Sequence, residues 1–150
     1  MSKKERIAYI DAVKCFYSKK PPLSNPAEIP GARNRFDDFV AAHIQQGQNI
    51  HFDGYLLAWH RNFVSIYEQA LKKECGYKGP TPFWDWTLTP DDPRLSPVFD
   101  GSATSMSGNG ESIPHGGTFV TAFGLNLTLP PGTGGGCVKD GPFANLQVRG

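Results

Sequence analysis

The sequence predicts a mainly α fold, with an N-terminal helix and two antiparallel core helices followed by a long irregular arm rich in glycine and proline. Two observations carry that expectation. Residues 1–75 hold 3 Gly and 4 Pro, whereas residues 76–150 hold 14 Gly and 9 Pro, and both residue types interrupt regular structure. Apolar residues also recur at helical intervals up to about residue 75 and not beyond. We therefore expect a helical part over about 1–76 and a loop-rich arm over about 77–150, within one domain.

The first helix opens on Ser2 followed three residues later by Glu5, the spacing of a capping box. Ile7, Ile10, Val13 and Tyr17 then share a face, and Pro21-Pro22 closes the segment. A connector punctuated by proline leads to Pro30-Gly31. The second helix is expected from about Arg33 to Gln46, with Phe36, Phe39, Val40, His43 and Ile44 on one face and Gly47 as the terminator. A short loop to Asp53 contains His51. The third helix runs from near Asp53-Gly54 to Glu74 or Cys75, with an inner stripe of Leu56, His60, Phe63, Val64, Tyr67 and Leu71, and Gly76 stops it.

Beyond Gly76 the pattern changes. Pro82-Phe83-Trp84-Asp85-Trp86 sets three aromatic rings within five residues, and turn-forming clusters follow. Short strands are expected at about 118–123 and 125–129. No repeat is present, and no glycine loop stands between a strand and a helix to cradle a phosphate.

Fifteen basic and 14 acidic residues give a formal charge of +1, which argues against a nucleic-acid partner or a polybasic membrane anchor. The longest apolar runs, such as Tyr55–Trp59, fall far short of the roughly 20 residues a membrane helix needs. The N-terminal residues lead into an amphipathic pattern and not into the apolar core of a signal peptide. No compartment and no oligomeric state is assigned.

The chemistry sits in the histidines. Of four in the chain, His43, His51 and His60 fall within 18 residues. His43 and His60 occupy the inner stripes of two successive helices and His51 lies in the loop between them, so an antiparallel pairing brings all three imidazoles together. Three neutral imidazoles suit copper or zinc, whereas Mg²⁺ or Ca²⁺ would call for oxygen ligands. His115, in Ile113-Pro114-His115-Gly116-Gly117, lies far along the chain and is left outside the metal set. Asp37 and Asp38 are adjacent on a helix and point about 100° apart, so they do not make an acid–base pair. No nucleophile-elbow motif is present, and no catalytic side chain is assigned.

These residues carry a family resemblance. Asp37-Asp38-Phe39-Val40-Ala41-Ala42-His43-Ile44, then Ile50-His51, then Trp59-His60-Arg61-Asn62-Phe63 resemble the copper A half of the tyrosinase family. Tyr67 to Leu71, Glu74-Cys75-Gly76-Tyr77, Pro82-Phe83-Trp84-Asp85-Trp86 and Ser96 to Gly101 continue it, and the likeness is strongest to the short fungal tyrosinases. The resemblance implies a type-3 copper helical bundle in which two coppers, each held by three histidines, bind dioxygen. Such a centre hydroxylates monophenols and oxidises o-diphenols to o-quinones. By position, His43, His51 and His60 match the ligands of the first copper. Some relatives carry a cysteine two residues before the loop histidine, joined to it by a thioether; Asn49 stands there in this chain.

The family's second copper needs a His-x-x-x-His pair and a further histidine, and only His115 remains outside the trio. One copper is therefore expected from this chain where the family domain holds two, and a single Cu(I) cannot supply both electrons that reduce dioxygen to peroxide. The sequence therefore reads as a copper-dependent phenol oxidase cut to its first copper site, with a phenolic substrate and dioxygen as partners. The alternative is a non-catalytic fragment that holds a single metal ion, or a degenerate remnant. Cys15, Cys75 and Cys137 make an odd count. A Cys15–Cys75 bridge requires the first helix to pack near the end of the third, and three free thiols are the alternative.

Overall fold

A computed structural model describes residues 1–18, 20–122 and 124–147. The expected strand over 118–123 ends on Phe123, which lies outside the described residues. Three helices dominate: α1 spans Lys3–Ser18, α2 Arg35–Ile50 and α3 Leu56–Cys75. The chain divides into two compact units, one formed by Met1–Phe83 with Gln147, the other by Trp84–Leu146.

In the first unit, α1 begins on the capping box read from sequence. The Ser2 amide donates to Glu5 Oε2 at 2.6 Å and the Glu5 amide donates to Ser2 Oγ at 3.3 Å. Asn34 caps α2 by accepting from the Asp37 amide at 3.0 Å. Gly76, at φ 69, closes α3 in the left-handed region and donates to the Leu71 carbonyl, a conformation that glycine adopts without steric cost. Arg35 at the start of α2 meets Glu74 at the end of α3 at 3.2 Å. Because the end of α2 also leads within a few residues into the start of α3, the two helices run antiparallel.

The core of this unit gathers Ala12 and Phe16 of α1, Phe39 of α2, Ala70 and Leu71 of α3, and Tyr77. Phe16 and Leu71 are completely buried. The aromatic rings of the core meet edge-on or tilted: Phe16 lies 5.7 Å from Phe39 and 5.8 Å from Tyr67, and Phe39 lies 5.2 Å from Tyr67. A Cys15–Cys75 disulfide joins the end of α1 to the end of α3, while Cys137 is free and exposed.

Two local expectations are corrected. Gly47 does not end α2, which continues through it for three more residues to Ile50. The apolar stripes are also only half covered. Phe39, Tyr67 and Leu71 pack with α1 in the core and Phe63 packs against it, whereas Val40, Ile44, Leu56 and Val64 are exposed. In α2, Val40 and Ile44 stand about 100° and about 140° around the helix from Phe39, beyond the flank that meets the core, and Leu56 is the first residue of α3.

The second unit carries two antiparallel two-stranded sheets among turns. β1 (Gly110–Ser112) pairs with β4 (Gly135–Val138), and β2 (Thr118–Ala122) pairs with β3 (Leu125–Leu129) with Val120 opposite Leu127. Only β2 and β3 were expected from sequence. β1 and β4 come so close that a Cβ on Gly110 would strike the Gly136 carbonyl oxygen, so glycine is required there. The aromatic segment is largely outside: Phe83 and Trp86 are exposed, while Trp84 meets Phe99 edge-on at 5.0 Å. No helix is long and apolar enough to cross a membrane among the described residues.

Candidate metal centre

α2 and α3 bring the three clustered histidines to one place. His43 lies two turns before the end of α2, His51 caps that helix and His60 lies one turn into α3. One ring nitrogen from each falls within 4.8 Å of those of the other two. Ring centroids stand 5.0 Å apart for His43–His51, 5.1 Å for His51–His60 and 5.3 Å for His43–His60, a nearly equilateral triangle of half-buried imidazoles. His115 belongs to the other compact unit, between β1 and β2.

The backbone decides which nitrogen two of these rings present. His60 Nδ1–H donates to the Leu56 carbonyl at 2.7 Å, and His51 Nδ1–H donates to the Gly47 carbonyl at 2.8 Å. Each bond reaches one helical turn back. The Gly47 carbonyl lies in the last turn of α2, where carbonyls lack a partner within the helix, so the extension of α2 past Gly47 is what places it under His51. With Nδ1 occupied, both rings offer the Nε2 lone pair as ligand.

His43 Nε2 lies 3.1 Å from His60 Nε2. Two lone pairs do not face each other at that distance without a proton or a cation between them. A proton on His43 Nε2 satisfies the pair as a hydrogen bond. A metal ion satisfies it too: nitrogens bound at about 2.0–2.1 Å to one ion, at an angle of about 100°, stand this far apart. The donor set therefore fits a nitrogen-preferring ion, and no carboxylate or thiolate joins the cluster among the described residues.

Aromatic rings wall the cluster. Trp59 lies 5.9 Å from His43 and 5.0 Å from His60, and Phe63 lies 5.9 Å from His43. Phe52 stands 6.5 Å from His51 and holds φ 61, a left-handed conformation costly for a bulky residue. It turns the chain from the C-cap of α2 toward α3. The sequence reading placed Phe63 on the inner stripe with His60 but assigned no role at the cluster to Phe63, Trp59, Phe52 or the two carbonyls. The signal for Trp59 and Phe63 lay in their spacing, one residue before His60 and three after it.

The chain matches the common central domain of tyrosinase over residues 33–150. It is 44% identical over 151 residues to tyrosinase P of Aspergillus terreus, covering 99% of this chain and 42% of that protein. It is 42% identical over 151 residues to the N-acetyl-6-hydroxytryptophan oxidase ivoB of Emericella nidulans, covering 97% of this chain and 40% of the relative. Its fold superposes on a polyphenol oxidase structure from Thermothelomyces thermophila with a TM-score of 0.88 at 51% identity, covering 97% of this chain and 38% of the other. The chain thus spans about two fifths of the length of these relatives. With that match, the mainly helical fold and three histidines clustered as in a copper A site, the chain belongs to the tyrosinase family.

Proposed function

We propose that this chain supplies the first-copper part of a phenol-oxidising centre of the tyrosinase or catechol oxidase type, with one copper ion held by His43, His51 and His60. The observation that carries this reading is the convergence of the three imidazoles, two of them fixed by backbone carbonyls with Nε2 turned inward. Copper bound there supplies one-electron redox chemistry and a place for dioxygen. The chain's own groups hold the ion in a neutral nitrogen set, and the rings of Trp59, Phe63 and Phe52 limit access of water to it. Monophenols and o-diphenols are the proposed substrates, with o-quinones as products. The catalytic partner of the site is a second copper, for which His115 is the single histidine left in the sequence.

The isolated chain is accordingly expected to take up one copper and to produce quinone from catechol no faster than free copper does. Copper titration followed by desalting and metal analysis, with oxygen uptake in the presence of catechol, tests this. His60→Ala should abolish tight binding. Two coppers per chain, or uptake unaffected by His60→Ala, would contradict the proposal. A second reading, a metal-holding chain with no oxidase role, draws on the same single set of three histidines. Copper uptake without quinone formation, even when the chain is mixed with a source of the second site, would favour it.

A further inference from the structure

The three imidazoles are not held in the same way. His51 and His60 each anchor Nδ1 on a carbonyl one turn back. His43 has a single side-chain hydrogen bond among the described residues, to His60, and it is made through Nε2. That is the nitrogen a metal ion would take, so once an ion is bound the orientation of His43 is left to the rings packed around it. Two of these are not themselves histidines, Trp59 and Phe63.

Trp59 stacks nearly flat on Phe63, with centroids 4.9 Å apart and planes 15° apart. Phe63 is in turn packed 5.7 Å from Phe39 of the core. The half-buried indole therefore links α3, which carries it beside His60, to His43 on α2. Tryptophan suits this task because it offers a large rigid face with only two side-chain torsions to fix. Its one polar group, Nε1–H, donates only and cannot ligate a metal.

We propose that Trp59 is a positioning residue that sets the orientation of the His43 imidazole at the metal, working through its face and its stack on Phe63. This inference rests on the metal reading above. It distinguishes Trp59 from Phe16 and Leu71, whose burial serves packing alone.

The test compares wild type, Trp59→Ala, Trp59→Phe and an exposed-neighbour control, Leu57→Ala, each loaded with one equivalent of Cu(II). Copper affinity is measured by chelator competition, ligand geometry by electron paramagnetic resonance and helix content by circular dichroism. Trp59→Ala should keep its helix content, weaken copper binding by about 10–100-fold and shift the g and hyperfine values. Trp59→Phe should restore most of both, and Leu57→Ala should match wild type. If Trp59→Ala loses helix content, Trp59→Leu keeps bulk without a ring face and should show the same spectral shift. An unchanged spectrum and affinity in the folded ring-less variant would overturn the proposal. A wild-type chain that binds no copper would overturn the metal reading as well, so the two failures are distinguishable.

Discussion

A single half-buried carboxylate shows how this fold uses charge. Asp38 lies in the first turn of α2 and accepts from the Leu23 amide at 2.7 Å, the Ser24 amide at 3.2 Å and Arg35 Nη1 at 2.9 Å. Burial pushes its carboxyl up, but these donors outweigh burial and hold it below its ordinary value. A carboxyl lowered by folding contributes stability that is fully present above the unfolded value and is lost as pH falls through the folded one. Asp38→Asn should therefore lower stability at neutral pH by about 1–3 kcal/mol and flatten the loss of stability on acidification. Urea unfolding at neutral pH and near pH 3 checks this, and parallel curves for the two proteins at both pH values would contradict it. At this scale the sequence showed that three histidines would come together, because His43 and His60 share the inner stripes of successive helices and His51 lies between them. It did not show Asp38 as an anchor for residues 23 and 24, since that contact crosses a connector whose path no local pattern sets.

Helix existence was legible from periodicity and caps, and helix limits were not. Gly47 read as a stop because glycine lowers helix stability by about 1 kcal/mol. The ends of α2 are decided by other partners: Asn34 at its start, and at its finish His51, which takes up the Gly47 carbonyl. Periodicity likewise showed which residues share a face but not how much of that face is covered: Ile44 and Leu56 sit on the expected stripes and are exposed. The tie between α1 and α3 is a further property of elements. The Cys15–Cys75 bridge has a sequence separation of 60 and encloses α2, nearly all of α3 and all three histidines. Constraint of so long a loop in the unfolded chain is worth about 4 kcal/mol. Reduction with a phosphine should lower unfolding stability by about that amount and weaken copper binding. Superimposable denaturation curves with and without reductant would contradict this.

Across the whole molecule, the uneven distribution of glycine and proline corresponds to a real division of structure. The helices, the core and the three clustered histidines lie in the first unit, and the turns and small sheets lie in the second. The pairing of β1 with β4 escaped sequence reading because it joins segments more than twenty residues apart and depends on glycines, which carry no alternating pattern. His43, His51 and His60 are proposed to bind one copper together. X-ray absorption of the copper-loaded chain, beside His43→Ala, His51→Ala and His60→Ala, tests it most directly. We predict one copper per chain with three imidazole nitrogens at about 2.0 Å and the loss of one nitrogen, or of binding, in each variant. A wild-type site with fewer than three imidazoles, or one that any of the three substitutions leaves unchanged, would contradict it.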